Sequence, residues 1–268
     1  MKTIMSTNII HKYPRTPHIA GSGLQPGDED IAVVPFRGLS SSHLVVEEKM
    51  DGANSALSFS RDGTLHLQSR GHFLTGGPRE RQFHLLKAWA TCHAATLWEV
   101  LGDRYVLYGE WVYAKHTVYY TALPHYFLEF DAYDTATGVF LSTPARRTLL
   151  AAAPFVVSVP VLHEGPVATL DDLRAFIGPS RCIAGDHLIH LRAACLQRGL
   201  DPDRALRETD HTTLMEGLYI KVEEGEAVRQ RYKFVRAGFL QTVLDSGSHW
   251  LDHPILPNGL CEGVSIFT

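Results

Sequence analysis

No apolar run in this chain approaches the roughly 18–20 residues that a membrane-spanning helix needs. The longest candidate stretch, near residues 149–162, is broken by Pro154 and Pro160. The first eighteen residues contain no apolar core of signal-peptide length, so export is not expected. Cysteine is scarce: Cys92, Cys182, Cys195 and Cys261 are scattered, with no C-x-x-C pair. A chain of this length can bury a core without disulfides, and a reducing cytoplasm is the expected compartment. No excess of positive charge exists either, since 25 Lys and Arg against 29 Asp and Glu leave a net charge of −4. That excludes a protein that coats nucleic acid by bulk charge, and leaves open a local basic groove. A Walker A sequence and G-x-S-x-G are both missing, which excludes a P-loop kinase and an α/β-hydrolase elbow. Internal repeats and low-complexity tracts are missing as well.

What is present is an ordinary globular composition, 45% apolar and 20% charged over 268 residues. Residues 11–30 are rich in Pro and Gly and read as a surface loop or extended arm. Strand-like alternation runs from Leu44 to Gln68, with Asp62-Gly63 as a hairpin turn between apolar runs. The 79–101 stretch predicts one helix with Phe83, Leu86, Trp89 and Ala90 on a common face. Strands are expected at 105–112, 126–133, 217–222 and 227–235. The last two are joined by a solvated turn of Glu223, Glu224 and Glu226. Residues 143–211 predict a helical block, with starts at Thr143-Pro144 and Asp201-Pro202 and a capping box at Thr169 and Asp172. Long strands with one helical insert indicate an α+β fold, and no linker divides 1–268 into two domains. Cys182, His187, His190 and Cys195 match no zinc spacing and read as a packed helix. His249 and His253 read as surface or loop residues.

Five short elements stand out in order, and a basic pair closes the series. They are Lys49-Met50-Asp51-Gly52-Ala53-Asn54, Ser69-Arg70-Gly71, Tyr108-Gly109-Glu110, Phe127-Leu128-Glu129-Phe130-Asp131 and Glu216-Gly217-Leu218-Tyr219-Ile220-Lys221, followed by Arg231-Tyr232-Lys233. Each alone is weak, because a Lys-x-Asp-Gly is most often a surface turn. As an ordered set, from about Val45 to Arg236, they resemble the covalent nucleotidyltransferase superfamily of ATP-dependent ligases and mRNA capping enzymes. The Phe-Leu-Glu-Phe-Asp element and Asn54, two residues after Gly52, resemble the ATP-dependent RNA ligases, in the branch typified by the second RNA ligase of a T-even bacteriophage. The segments Lys12-Tyr13-Pro14-Arg15-Thr16-Pro17-His18 and Gly109-Glu110-Trp111-Val112-Tyr113-Ala114-Lys115-His116 resemble bacterial members of that family.

The resemblance implies a nucleotidyltransferase (ATP-grasp-like) domain of antiparallel sheets flanked by helices. It implies ATP and a divalent metal, Mg²⁺ or Mn²⁺, as cofactors, and RNA 5′-phosphate and 3′-hydroxyl ends as partners. Lys49 would attack the α-phosphate and become lysyl-AMP. Only about 0.1% of a free lysine amine is neutral near pH 7.4, so cationic neighbours, partial burial or bound Mg²⁺ must depress its pKa. Glu110 would bind the ribose hydroxyls, and Phe130 would stack on adenine. Arg70 would contact a phosphate, and Glu216, with Glu110, would hold the metal. Lys221, Arg231 and Lys233 would serve the nucleotide. Arg231 and Lys233, two apart on a strand, are expected on one face near the α-phosphate and pyrophosphate. Asn54 and Asp51 would position the RNA end, and Glu48 would help read adenine.

Two departures stand out. Arg231 replaces the lysine usual in RNA ligases, and only 32 residues follow Arg236, too few for a C-terminal OB-fold. The expectation is a single catalytic domain that grips RNA through 11–30, 76–81 and the 143–211 insert, beside a separate end-healing kinase or phosphatase. A small ATP-dependent DNA ligase, a capping enzyme and a non-catalytic end-binding module are the alternatives. Intact Lys49, Glu110 and Glu216 weigh against the last.

Overall fold

The computed structural model describes residues 9–24, 27–28, 30–246 and 254–267; His249 and His253 lie outside them. Among the described residues there are twelve strands: β1 His18–Ile19, β2 Val33–Val34, β3 Leu44–Lys49, β4 Ala53–Phe59, β5 Leu65–Ser69, β6 Tyr105–Trp111, β7 Phe127–Asp134, β8 Val139–Leu141, β9 Val157–Ser158, β10 Val161–Gly165, β11 Gly217–Glu224 and β12 Ala227–Val235. The helices are α1 His84–Cys92, α2 Ala94–Leu101, α3 Thr143–Leu150, α4 Leu170–Arg174, α5 His187–Gln197, α6 Pro202–Arg207 and α7 Ala237–Ser246.

One sheet runs β10-β3-β11-β12-β8-β7-β6-β4-β5, antiparallel at every step. Short parallel pairs add β1 to β12, β2 to β1 and β9 to β7. The architecture is therefore α+β, as the alternating strands around one helical insert imply. β8 joins two broad lobes through only two residue pairs with β12, Ala227 with Leu141 and Val228 with Phe140. On one lobe, Leu44, Val46, Leu218 and Ile220 point into a core closed by Ile19, Phe36 and Leu173. On the other, α1 and α2 bury Leu86, Trp89, Leu97 and Leu101 against Leu57, Leu107 and Phe127. Each such side chain contributes about 1.5–3 kcal/mol on burial.

Local differences from the sequence reading have physical causes. The 79–101 helix is three pieces: a 3-10 turn at Pro78–Phe83, then α1 and α2 broken at His93. The His93 ring stacks on Phe155 at 3.9 Å, and the break lets both halves turn apolar faces to the core. The 143–211 block carries β9 and β10 among its helices, because Pro154 and Pro160 interrupt helix and the apolar residues between and after them pair with β7 and β3. The N-cap position of α3 is Ser142, not Thr143, and its side chain makes no capping hydrogen bond. Thr143 donates instead from its backbone N–H and hydroxyl to Glu223 Oε1, at 2.9 and 2.7 Å. Glu223 is thus buried, while Glu224 and Glu226 are exposed. The capping box of Thr169 and Asp172 forms in full, and Asp201 accepts from the N–H groups of Asp203 and Arg204. His187 and Cys195 face inward from α5.

Candidate active site

Lys49 ends β3, and the β3–β11 register sets it opposite Gly217, next to Glu216. The Lys49 Nζ lies 2.6 Å from Glu216 Oε1. A Cβ at position 217 would overlap the carbonyl oxygen of Phe234, so only glycine admits this approach of β11 to β12. From the other lobe, β4 and β6 pair Asn54 with Glu110. Gly52 crosses β6 so closely that a Cβ would sit 2.8 Å from the Trp111 carbonyl. These elements, with Phe130 of β7 and Lys233 of β12, line one cavity of about 660 Å³ between the lobes.

The electrostatics run opposite to the cationic neighbourhood expected for Lys49. Burial draws its pKa down, but Glu216, Glu110 and Asp51 outweigh burial and hold the amine above its ordinary value. Burial pushes Glu216 up to about 7 and Glu110 up to about 8; Lys49 opposes both shifts, while Asp51 adds to both and Glu216 adds to that of Glu110. Glu216 Oε2 is buried and receives no hydrogen bond from the described residues. A carboxylate oxygen left bare beside a second carboxylate fits a divalent cation, which is taken by hard oxygen ligands.

Asp51 is committed to the backbone. Its Oδ2 accepts from Thr117 N–H and Val118 N–H at 2.7 Å each, and its own N–H donates to the Tyr120 hydroxyl at 2.8 Å. It thereby pins the β6–β7 loop to the nucleophile strand and holds His116, 3.9 Å from Oδ1, at the cavity wall. Asn258 ties the same loop from outside, donating to Val112 O and accepting from Tyr120 N–H. Arg70, exposed after β5, and Asn54 sit at the cavity mouth with His72. Glu48 reaches the cavity from the opposite face of β3, and burial raises its pKa against the pull of Ser180 and Arg181.

Phe130 presents a half-buried ring, met edge-on by Tyr13 at 5.2 Å and backed by Tyr219 at 6.0 Å. Behind it lies a buried charge network. Arg146 pairs with Glu47 at 2.8 Å and Glu129 at 3.2 Å. Lys221 pairs with Glu47 at 2.9 Å and Asp131 at 3.1 Å. Both cations donate to the Phe130 carbonyl. Lys221 is therefore behind the cavity wall. Arg231 is also displaced: its guanidinium lies 3.6 Å over the Phe140 ring and 3.7 Å from Asp131. Of the closing basic pair, Lys233 alone lines the cavity, 2.8 Å from Asp28 Oδ2.

Sequence reasoning missed Tyr13, Asp28, Glu47, His116 and Arg146. Glu47 carried a signal, since the two-residue period of a strand puts it on the Lys49 side of β3, and Tyr13 and His116 lie within the two segments that resemble bacterial members of the family, with no role attached to them there. The others meet the site through contacts distant in sequence.

An RNA ligase family model matches residues 42–235, and the chain belongs to the RNA ligase family. Among solved structures it is similar to a Naegleria gruberi RNA ligase mutant with ATP and Mn, at 17% identity and a TM-score of 0.54, covering 87% of this chain and 58% of that one. A Naegleria gruberi RNA ligase mutant with AMP and Mn gives 18% and 0.53, covering 88% and 59%. The same organism's RNA ligase with PPi gives 17% and 0.51, covering 91% and 63%. This chain thus spans about three fifths of the length of those solved chains. A search of curated proteins found no match.

Proposed function

We propose that this chain is an ATP-dependent RNA ligase that joins a 5′-phosphate RNA end to a 3′-hydroxyl end through lysyl-AMP on Lys49. The observation that carries the reading is the meeting of Lys49, Glu110, Glu216, Phe130 and Lys233 from separate elements around one cavity. In the first step the neutral Lys49 Nζ attacks the α-phosphorus of ATP, a P–N bond forms, and pyrophosphate leaves. In the second, an oxygen of the RNA 5′-phosphate attacks that phosphorus, and Lys49 departs and regains a proton. In the third, the RNA 3′-hydroxyl attacks the activated 5′-phosphate and AMP leaves. Phe130 supplies the adenine platform, and Glu110 accepts from the ribose hydroxyls. Lys233 and Arg70 balance phosphate charge, and Asn54 positions the RNA end. Lys221 and Arg231 act behind Phe130, through its carbonyl and through Asp131. The chain acts as a single catalytic domain in the cytoplasm, in repair of broken RNA beside a separate end-healing enzyme.

Glu216 and Glu110 would hold the divalent metal. Bound there, the cation supplies the positive charge that offsets the carboxylates and lets Lys49 give up its proton. Because the two carboxyls sit near 7 and 8 without metal, binding displaces protons. Mn²⁺ titrations at pH 7 in buffers of different ionisation enthalpy are expected to show net proton release, with affinity rising on the order of 10²–10³-fold from pH 6 to pH 8. PH-independent affinity contradicts these ligands.

The substrate reading is tested with one nicked duplex whose 3′-hydroxyl strand is either RNA or DNA. Sealing at least tenfold faster with RNA is expected, through readout of the terminal 2′-hydroxyl. Equal or faster sealing with DNA favours the DNA ligase alternative.

A further inference from the structure

Lys233 is not free to meet a phosphate. Its ammonium is 2.8 Å from Asp28 Oδ2, and the same carboxylate oxygen lies 3.0 Å from His18 Nε2. Arg15 approaches the other oxygen at 3.6 Å. Three basic side chains thus converge on one aspartate that lines the same cavity as Lys49. Burial pushes the Asp28 carboxyl up, yet the hydrogen bonds from Lys233 and His18 prevail and hold it below its ordinary value, so it is an anion. His18 is fully buried, and the tautomer that donates from Nε2 to Asp28 also lets Nδ1 accept from Ser22 at 2.7 Å. The cluster is therefore a built anion site, filled from within.

We propose that Asp28 is an internal stand-in for nucleotide phosphate: its carboxylate holds Lys233 while the site lacks nucleotide, and the polyphosphate chain displaces it. The proposal rests on the nucleotide reading above and deepens it. Lys221, whose ion pairs serve the fold, sits behind the wall, whereas Asp28 and its partner Lys233 both line the cavity. Beside these contacts, Arg15 also reaches Asp30 at 2.6 Å and the Gly27 carbonyl. The Arg15–Asp30 pair is solvent-exposed, and exposed ion pairs add little stability, so it opposes displacement of the Asp28 carboxylate only weakly. Without that movement the incoming phosphates would meet Asp28 in addition to Glu216, Glu110 and Asp51. With it, Lys233 exchanges one anion for another and is never left buried without a partner.

The test uses magnesium pyrophosphate and two readouts. By calorimetry, Asp28→Asn is expected to bind pyrophosphate about tenfold tighter than the wild type, and Lys233→Ala at least tenfold more weakly. A gain in affinity is an outcome that a merely structural role for Asp28 would not produce. By hydrogen–deuterium exchange on the wild type, amides in residues 20–32 are expected to exchange faster once pyrophosphate is bound. Equal or weaker binding by Asp28→Asn overturns the proposal, as does slower exchange in that segment. If Asp28→Asn does not fold, the wild-type exchange experiment decides alone. Pyrophosphate binding is read without any nucleotide transfer. A protein that shows the Asp28 effect but takes no AMP from ATP therefore contradicts the ligase reading and not this one.

Discussion

Lys49→Ala is expected to abolish AMP transfer, lowering it by at least about 10⁴-fold, while leaving the protein folded. The loss is chemical, because among the described residues Lys49 is the amine that makes an ion pair with Glu216, and a nucleophile cannot be replaced by binding energy. Lys49→Arg is expected to be equally inactive, since a guanidinium does not deprotonate. The fold survives because Lys49 stands at a cleft with its side chain 26% exposed. Its removal still has a pH signature. Glu216 and Glu110, already at about 7 and 8, lose the cation that draws them down and move higher. In the unfolded chain a glutamate titrates near 4.3, so above that pH the folded variant holds protons that the unfolded chain has lost. Stability then falls as pH rises. The melting temperature of Lys49→Ala is expected to fall more steeply than that of the wild type between pH 5 and pH 9. A variant that still seals RNA would move the nucleophile elsewhere.

Arg146→Ala is expected to cost about 3–5 kcal/mol of stability, the scale for removing one partner of a buried ion network. Arg146 is 1% exposed and is shared between Glu47 and Glu129, which are wholly buried. Without it, among the described residues, those two carboxylates keep Lys221 and the hydroxyl of Ser158 as close partners. For a chain of this size that loss lowers the melting temperature by roughly 6–20 °C. Chemical denaturation at pH 7 gives the free energy directly. The same variant is expected to weaken ATP binding, because Arg146 also donates to the carbonyl of Phe130 and so sets the ring. A cost below about 1 kcal/mol would mean that the network does not hold the platform.

The contrast between these residues shows what a sequence can and cannot disclose. Lys49, Glu110 and Glu216 were legible because short motifs bracket them, and the strands that carry them announce themselves by alternation and by the Asp62-Gly63 turn. Arg146 was illegible: it lies in α3, and its partners are 99 and 17 residues away in sequence. Tyr13 and Asp28 read as a Pro- and Gly-rich arm, and nothing local to that arm tells that it runs beside β12. Strand period placed Arg231 and Lys233 together, but the Phe140 ring captures the guanidinium and only the lysine reaches the cavity. Asp51 is next to the nucleophile in sequence, yet two loop N–H groups occupy its carboxylate. Glu110 and Glu216 were expected together at the metal, but that they and Asp51 surround the Lys49 amine in place of cations shows only once the elements meet around one cavity.

The central claim is that Lys49 takes AMP from ATP. Purified protein incubated with ATP and Mg²⁺ and read by intact mass spectrometry tests it most directly. The account predicts a gain of one AMP, located on the Lys49 peptide, absent with GTP and reversed by added pyrophosphate. An unmodified mass, from protein that also carries no AMP as purified, would contradict it.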